Sequence, residues 1–245
     1  MNIKIASDAR PQIRTLLAAT ALTFALWWFV PFGDVLTYPF RIFVTFIHEG
    51  GHALAALLTG NSVGSLAVHV DGSGEVYSAG GGTFSRLFVS SAGYLSAMLF
   101  GALLLLLIRR TVAARIVLAA SGALVFAVAL LFGFLSPLAN WSLPSLFTIV
   151  AGVLLPVGLL AAAKYAGPKL ATFLVGFLAV QCVLNALFDL KNVLFLSAAT
   201  GAQTDAANMA SVFSFFPLSS SIFWSLMWIG VAFMILSLAL RAYAV

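Results

Sequence analysis

The sequence predicts an all-α polytopic membrane protein with about seven transmembrane helices and a short β-hairpin between the second and the third. Two observations carry that prediction. First, 62% of the 245 residues are hydrophobic and only 8% are charged, with a mean hydropathy of +1.11; one water-surrounded core cannot absorb so much apolar surface. Second, crossing about 30 Å of hydrocarbon takes about 20 mostly apolar helical residues. The chain holds several such runs, at 15–32, 39–58, 87–108, 114–134, 144–163, 169–196 with a polar interruption, and 213–240.

Ahead of the first run stand Lys4, Arg10 and Arg14, the start of a secretory-signal pattern. The run itself carries WWFV and no small-residue cleavage site, so it reads as an uncleaved anchor. The second run contains FVTFIHEGGHALAALLTG, residues 43–60. Between the second and third runs, residues 60–86 alternate through Leu66, Val68 and Val70, turn at DGSG and resume at Val76 and Tyr77, which is a hairpin pattern. Two strands alone are marginal in water, so the hairpin must lean on the helices or on the membrane surface. In the third run Gly93, Ala97 and Gly101 make a small-residue face suited to close helix packing. The later runs bring no further soluble module, and residues 1–245 read as one membrane domain.

The net charge of +5 is scattered. Arg109, Arg110, Arg115, Lys164, Lys169 and Arg241 flank predicted helices, where cations suit lipid headgroups and mark cytoplasmic loops; no block of charge calls for nucleic acid. Counting seven spans back from those residues places the N-terminal basic cluster on the opposite side, in breach of the same rule. The single cysteine, Cys182, excludes an intramolecular disulfide.

Chemistry concentrates in the second run. His48 and His52 are four residues apart, so a helix projects both imidazoles from one face. Two adjacent ligands on one face are what a tetrahedral metal needs, and the neighbouring Glu49 is placed to take a proton from a water there. Two of only three histidines in the chain lie in this motif, and ionisable groups at membrane depth cost roughly 2.5–3.5 kcal/mol or more and mark function. Gly50 and Gly51 cost helix stability, about 1 kcal/mol each relative to alanine, and so imply a close neighbour.

A catalytic zinc takes three protein ligands. The leading candidate for the third is Asp189 in AVQCVLNALFDLKNVLFL, residues 179–196, with Asn185 one turn earlier on the same face as a candidate substrate-binding residue. Asp205 in QTDAAN is the runner-up, with exposure or helix capping as its ordinary explanation. His69 reads as a surface residue of the hairpin, and Asp34, Asp71 and Glu75 fall in turns.

HEGGHALAALLTG, the Gly-containing hairpin, SAGYLSAMLFGALLLLL at 91–107, NALFDL and the later TDA together resemble the site-2-protease-type membrane zinc metallopeptidases, above all their small B-type subgroup. The likeness covers residues 43–107 well and 181–207 more loosely. It implies zinc held within the membrane by His48 and His52, with Glu49 as the base and, by the same match, Asp189 as the third ligand. The chain lacks the proline-rich Asn segment and LDG triplet of the better-known branch, FDL standing in place of the latter, and it has no PDZ-like insertion. The expected function is an intramembrane zinc protease acting on membrane-spanning or membrane-associated proteins. The expected location is the cell membrane, plasma or inner, with membrane-protein substrates and the lipid bilayer as partners. A non-catalytic zinc-binding membrane protein and an ion or proton transporter using the His and Asp residues are the alternatives.

Overall fold

Residues 6–199 and 203–244 are described by a computed structural model, so Lys4 lies outside the described residues. The N-terminus enters through a 3-10 turn, Ser7–Ala9, into α1 (Arg10–Trp28) and α2 (Gly33–Leu58). Strands β1 (Ser62–Val68) and β2 (Gly74–Ala79) follow, then α3 (Thr83–Arg109) and α4 (Ala114–Val128). A π-helical stretch, Ala129–Leu135, prolongs α4 into α5 (Ser136–Ala139), and α6 (Leu146–Tyr165), α7 (Pro168–Ala199), α8 (Asp205–Ala210) and α9 (Ser221–Arg241) complete the chain. Helices dominate because a backbone in hydrocarbon must satisfy its own hydrogen bonds.

Seven spans were expected; among the described residues five helical segments have the length and apolarity to cross a membrane. These are Thr83–Arg109, Ala114–Ala139, Leu146–Tyr165, Pro168–Ala199 and Ser221–Arg241. The first two helices are more polar: α1 opens on Arg10, Gln12 and Arg14, and α2 carries Asp34, Arg41 and Glu49. Together they run from one end of α3 to the other. At the start of α1 the Asp8 carboxylate pairs with Arg109 at 2.9 Å, beside the end of α3, whereas α2 ends where α3 begins, with Thr59 Oγ1 2.8 Å from Ser85 Oγ. Those two points are separated by α3 itself, 27 residues and so about 40 Å. Midway, α2 starts against the last turns of α1, where Trp27 Nε1 donates to Thr37 Oγ1 at 3.1 Å.

This arrangement removes the charge conflict posed by a seven-span count. The N-terminal turn also meets the C-terminus, Ala6 N–H donating to the Tyr243 carbonyl at 3.1 Å. Arg115 donates to the Ala166 carbonyl at 2.8 Å, joining the α3–α4 turn to the α6–α7 turn. Arg14 and Lys169 line one groove. The N-terminal basic residues therefore share one end of the molecule with Arg109, Arg115 and Lys169, and with Lys164 and Arg241 in the last turns of α6 and α9.

Two further expectations change in detail. No polar interruption breaks α7, because its polar groups find partners: Gln181 donates to Thr23 Oγ1 on α1 at 2.9 Å, and Asn185 donates to the Gln181 carbonyl at 2.8 Å. The last helix begins at Ser221 rather than 213. Pro217, which cannot donate to a helix, lies in the turns before it, and Trp224 Nε1 reaches back to the Leu218 carbonyl at 2.7 Å.

The hairpin forms over the expected residues, antiparallel, pairing Leu66 with Val76 and Val68 with Gly74, with a bulge between Val63 and Ser65. It is embedded among the helices. Leu66 and Val68 are fully buried, and Thr148 of α6 accepts from the Val68 N–H at 2.8 Å and donates to its carbonyl at 3.2 Å. Tyr38 Oη donates to the Val70 carbonyl at 2.6 Å and Thr45 Oγ1 to the Gly72 carbonyl at 2.8 Å, fixing the turn against the middle of α2.

Candidate metal centre

One face of α2 carries Arg41, Thr45, His48 and His52 in succession, spaced by three or four residues as 3.6 residues per turn requires. The opposite requirement, close packing, falls on the glycines. A Cβ on Gly51 would collide with Ser96 Oγ and the Ala92 carbonyl of α3, and Ser96 Oγ donates to the Ile47 carbonyl at 3.0 Å. Gly50 faces Val128 of α4. α3 thus lies close enough to orient the histidines: His52 Nδ1–H donates to the Val89 carbonyl at 2.7 Å. That bond fixes the ring and leaves Nε2 with its lone pair turned inward, as a metal ligand needs. Gly93 lies under both rings, where a Cβ would overlap Nε2 of each.

Three ligand atoms converge there. His48 Nε2 and His52 Nε2 are 3.1 Å apart, and Asp205 Oδ2 lies 3.9 Å from the first and 3.4 Å from the second. Tetrahedral zinc with bonds of about 2.0–2.1 Å separates its ligands by about 3.3 Å. The donor set, two imidazole nitrogens and a carboxylate oxygen, fits that triangle in both size and chemistry. Asp205 opens α8, yet it is not the cap: Thr204 Oγ1 accepts from Ala207 N–H at 3.1 Å, which frees the aspartate side chain to face the histidines. Burial alone would raise the Asp205 pKa, but the two neighbouring imidazoles outweigh it and hold the carboxyl below its usual range. An ionised carboxylate is the form that ligates.

Asp189 was the expected third ligand; among the described residues the side chain that the structure brings to the two histidines is Asp205. α7 is straight through Asp189 and presents it to an adjoining cavity of about 240 Å³. That cavity is lined by Arg41, Thr45, His48, Glu49, Gly72 to Gly74, Tyr94, Asn185, Asp189 and Asn192. Asn185 lines it too, with its amide N–H groups turned to Gln181. His69 stays on the hairpin surface, 3.6 Å from Glu75 Oε1.

Glu49 is buried at 5% exposure and borders the same cavity. The hairpin approaches it so closely that a Cβ on Gly74 would fall 2.7 Å from its Oε1. Tyr94 of α3 sets its ring edge-on to His48 at 4.5 Å and stacks on Trp228 of α9, whose Nε1 donates to Ser91 Oγ at 3.1 Å. Sequence reasoning singled out neither Tyr94 nor Arg41. The only signal for Tyr94 was its place beside Gly93 in SAGYLS, and for Arg41 its place two turns before His48 on one face of the helix.

The family model described as Peptidase M50B-like matches residues 16–239. No curated protein and no solved structure matches the chain.

Proposed function

The chain belongs to the Peptidase M50B-like family, and on that premise we propose that it is a membrane-embedded zinc metallopeptidase cleaving membrane-spanning or membrane-associated proteins. The observation that carries this reading is the convergence of His48, His52 and Asp205 beside Glu49, at the edge of a polar cavity between otherwise apolar helices. His48, His52 and Asp205 would hold the metal. When bound, zinc supplies a Lewis acid that acidifies water and polarises a peptide carbonyl.

The chain's own groups do the rest. Glu49, next to His48 and open to the cavity, accepts a proton from the attacking water and returns it to the leaving amine nitrogen. Tyr94 and Gly93 hold the rings and exclude other groups from the ligand face. A transmembrane substrate hides its carbonyls in its own helix and must unwind before attack. Strand β2, beside Glu49 at Gly74, offers an edge on which an extended segment can add as a strand. Five apolar helices support a multi-pass location, and we assign the protein to the plasma or inner membrane.

The test is zinc content and cleavage measured on the same preparation, using peptides that carry helix-breaking residues in a membrane-spanning segment. About one zinc per chain, with cleavage lowered roughly a hundredfold or more in Glu49→Gln, is the expected result. Zinc without cleavage of any segment would favour a non-catalytic metal-binding protein. Metal-independent ion flux through reconstituted protein would favour a transporter.

A further inference from the structure

The cavity beside Glu49 holds two charged side chains that the chemistry proposed above does not use. Arg41, from α2, rests against the hairpin turn, where a Cβ on Gly72 would lie 2.7 Å from its Nε. Asp189 faces the same space from α7. Among the described residues neither side chain makes a hydrogen bond or an ion pair, and the two do not pair with one another. Arg41 is exposed and free to reach a ligand, whereas Asp189 is half-buried in an apolar helix, where an unpaired charge is costly and marks a place where something else supplies the partner. The cavity between them, about 240 Å³ and floored by His48 and Glu49, is where a substrate would lie.

Resting on the peptidase reading, we infer that Arg41 and Asp189 are the two poles of a substrate cleft that selects an extended segment bearing a carboxylate side chain about three residues from the scissile bond. The distance follows from helix geometry. Arg41 precedes His48 by seven residues on one helix face, about 10 Å at 1.5 Å per residue, and an extended chain covers that in about three residues at 3.3 Å each. A guanidinium presents a planar fork of donors that matches a carboxylate in two parallel bonds. Asp189 has only acceptors when ionised, so it faces the N–H groups of the same segment. The hairpin turn at Gly72 backs the arginine and keeps it directed across the cleft.

The experiment uses the full-length Glu49→Gln protein with zinc present, so that binding is read without turnover. Fluorescent transmembrane peptides carry Glu, Gln or Lys at a single position, two to five residues from the bond cut by the wild type or, without cleavage, from a helix-breaking residue. The expected result is about tenfold tighter binding of Glu than of Lys near the third position. In Arg41→Gln the preference disappears, in Arg41→Glu it inverts, and in Arg41→Lys the sign is retained, which covers the case in which the neutral variant fails to fold. Asp189→Asn should weaken every peptide several-fold with zinc content unchanged. Equal binding of Glu, Gln and Lys peptides, or loss of zinc in Asp189→Asn, overturns the inference. Cleavage by the wild type that is indifferent to peptide charge removes the charge-selective cleft and leaves the peptidase. Charge-selective binding with no wild-type cleavage does the reverse.

Discussion

At the residue scale, the proposed mechanism assigns metal binding and proton transfer to different side chains. Asp205→Ala removes one of three converging ligand atoms and should lose zinc, while Asp189→Ala, outside that group, should retain it; elemental analysis of the two purified variants decides between the carboxylates. Glu49→Gln keeps size and hydrogen bonding but removes the basic oxygen. Zinc should remain and cleavage should fall roughly a hundredfold or more, the usual scale for a general base. Gly93→Ala is the sharpest steric probe, because its methyl group would occupy the space of both imidazole Nε2 atoms. Zinc content well below one per chain is expected in a protein that still inserts and folds, and full occupancy would show that the rings can move aside.

At the scale of elements, the hairpin is held by side chains that read its backbone, since two strands have too few hydrogen bonds of their own. Thr148 is the main clamp, bonded to both the N–H and the carbonyl of Val68. Thr148→Val keeps the shape and strands a buried donor, at a cost of about 1–3 kcal/mol. A lower thermal midpoint in detergent with zinc retained is the expected outcome, and a larger loss of activity than of stability would place the hairpin in substrate binding. A metal held by His48, His52 and Asp205 would join α2 to α8. Chelation should therefore destabilise the fold; a ligand present at a hundred times its dissociation constant contributes about 2.7 kcal/mol by mass action, visible as a thermal midpoint that rises when zinc is restored.

For the whole molecule, the collection of basic residues at one end sets an orientation. By the positive-inside tendency that end is expected to face the cytoplasm, and Ala6 and Tyr243 meet there. The turn after α5 belongs to the opposite end, because α4 starts at the basic end and runs through to Ala139. Leu143 in that turn is 93% exposed. Leu143→Cys should react with a membrane-impermeant maleimide on intact cells, the buried Cys182 remaining silent. Labelling only after permeabilisation would reverse the orientation.

Legible in the sequence were the membrane class, the hairpin at its observed position, and the face of α2 shared by His48 and His52, with Glu49 beside it. Each of these follows from local rules: apolar run length, strand alternation, and a four-residue spacing that a helix turns into one face. Two features came from long-range packing instead: which aspartate lies beside the histidines, and how the ends of α1 and α2 are placed along α3. Asp189 stands deep in an apolar run and Asp205 in a polar one, so burial inferred from neighbours in sequence pointed to Asp189, whereas the fold brings Asp205 to the histidines. Asp205 is half-buried against His48 and His52, more than 150 residues earlier in the chain, with Thr204 taking over the capping that would otherwise have occupied it. Similarly, α1 and α2, at 19 and 26 residues, each have about the length of a span or more, yet only the long-range bonds Asp8–Arg109 and Thr59–Ser85 place the start of α1 and the end of α2 at opposite ends of α3. Composition and periodicity are properties of neighbouring residues, whereas ligand sets and topology depend on distances between residues remote in sequence, which only the packed helices fix.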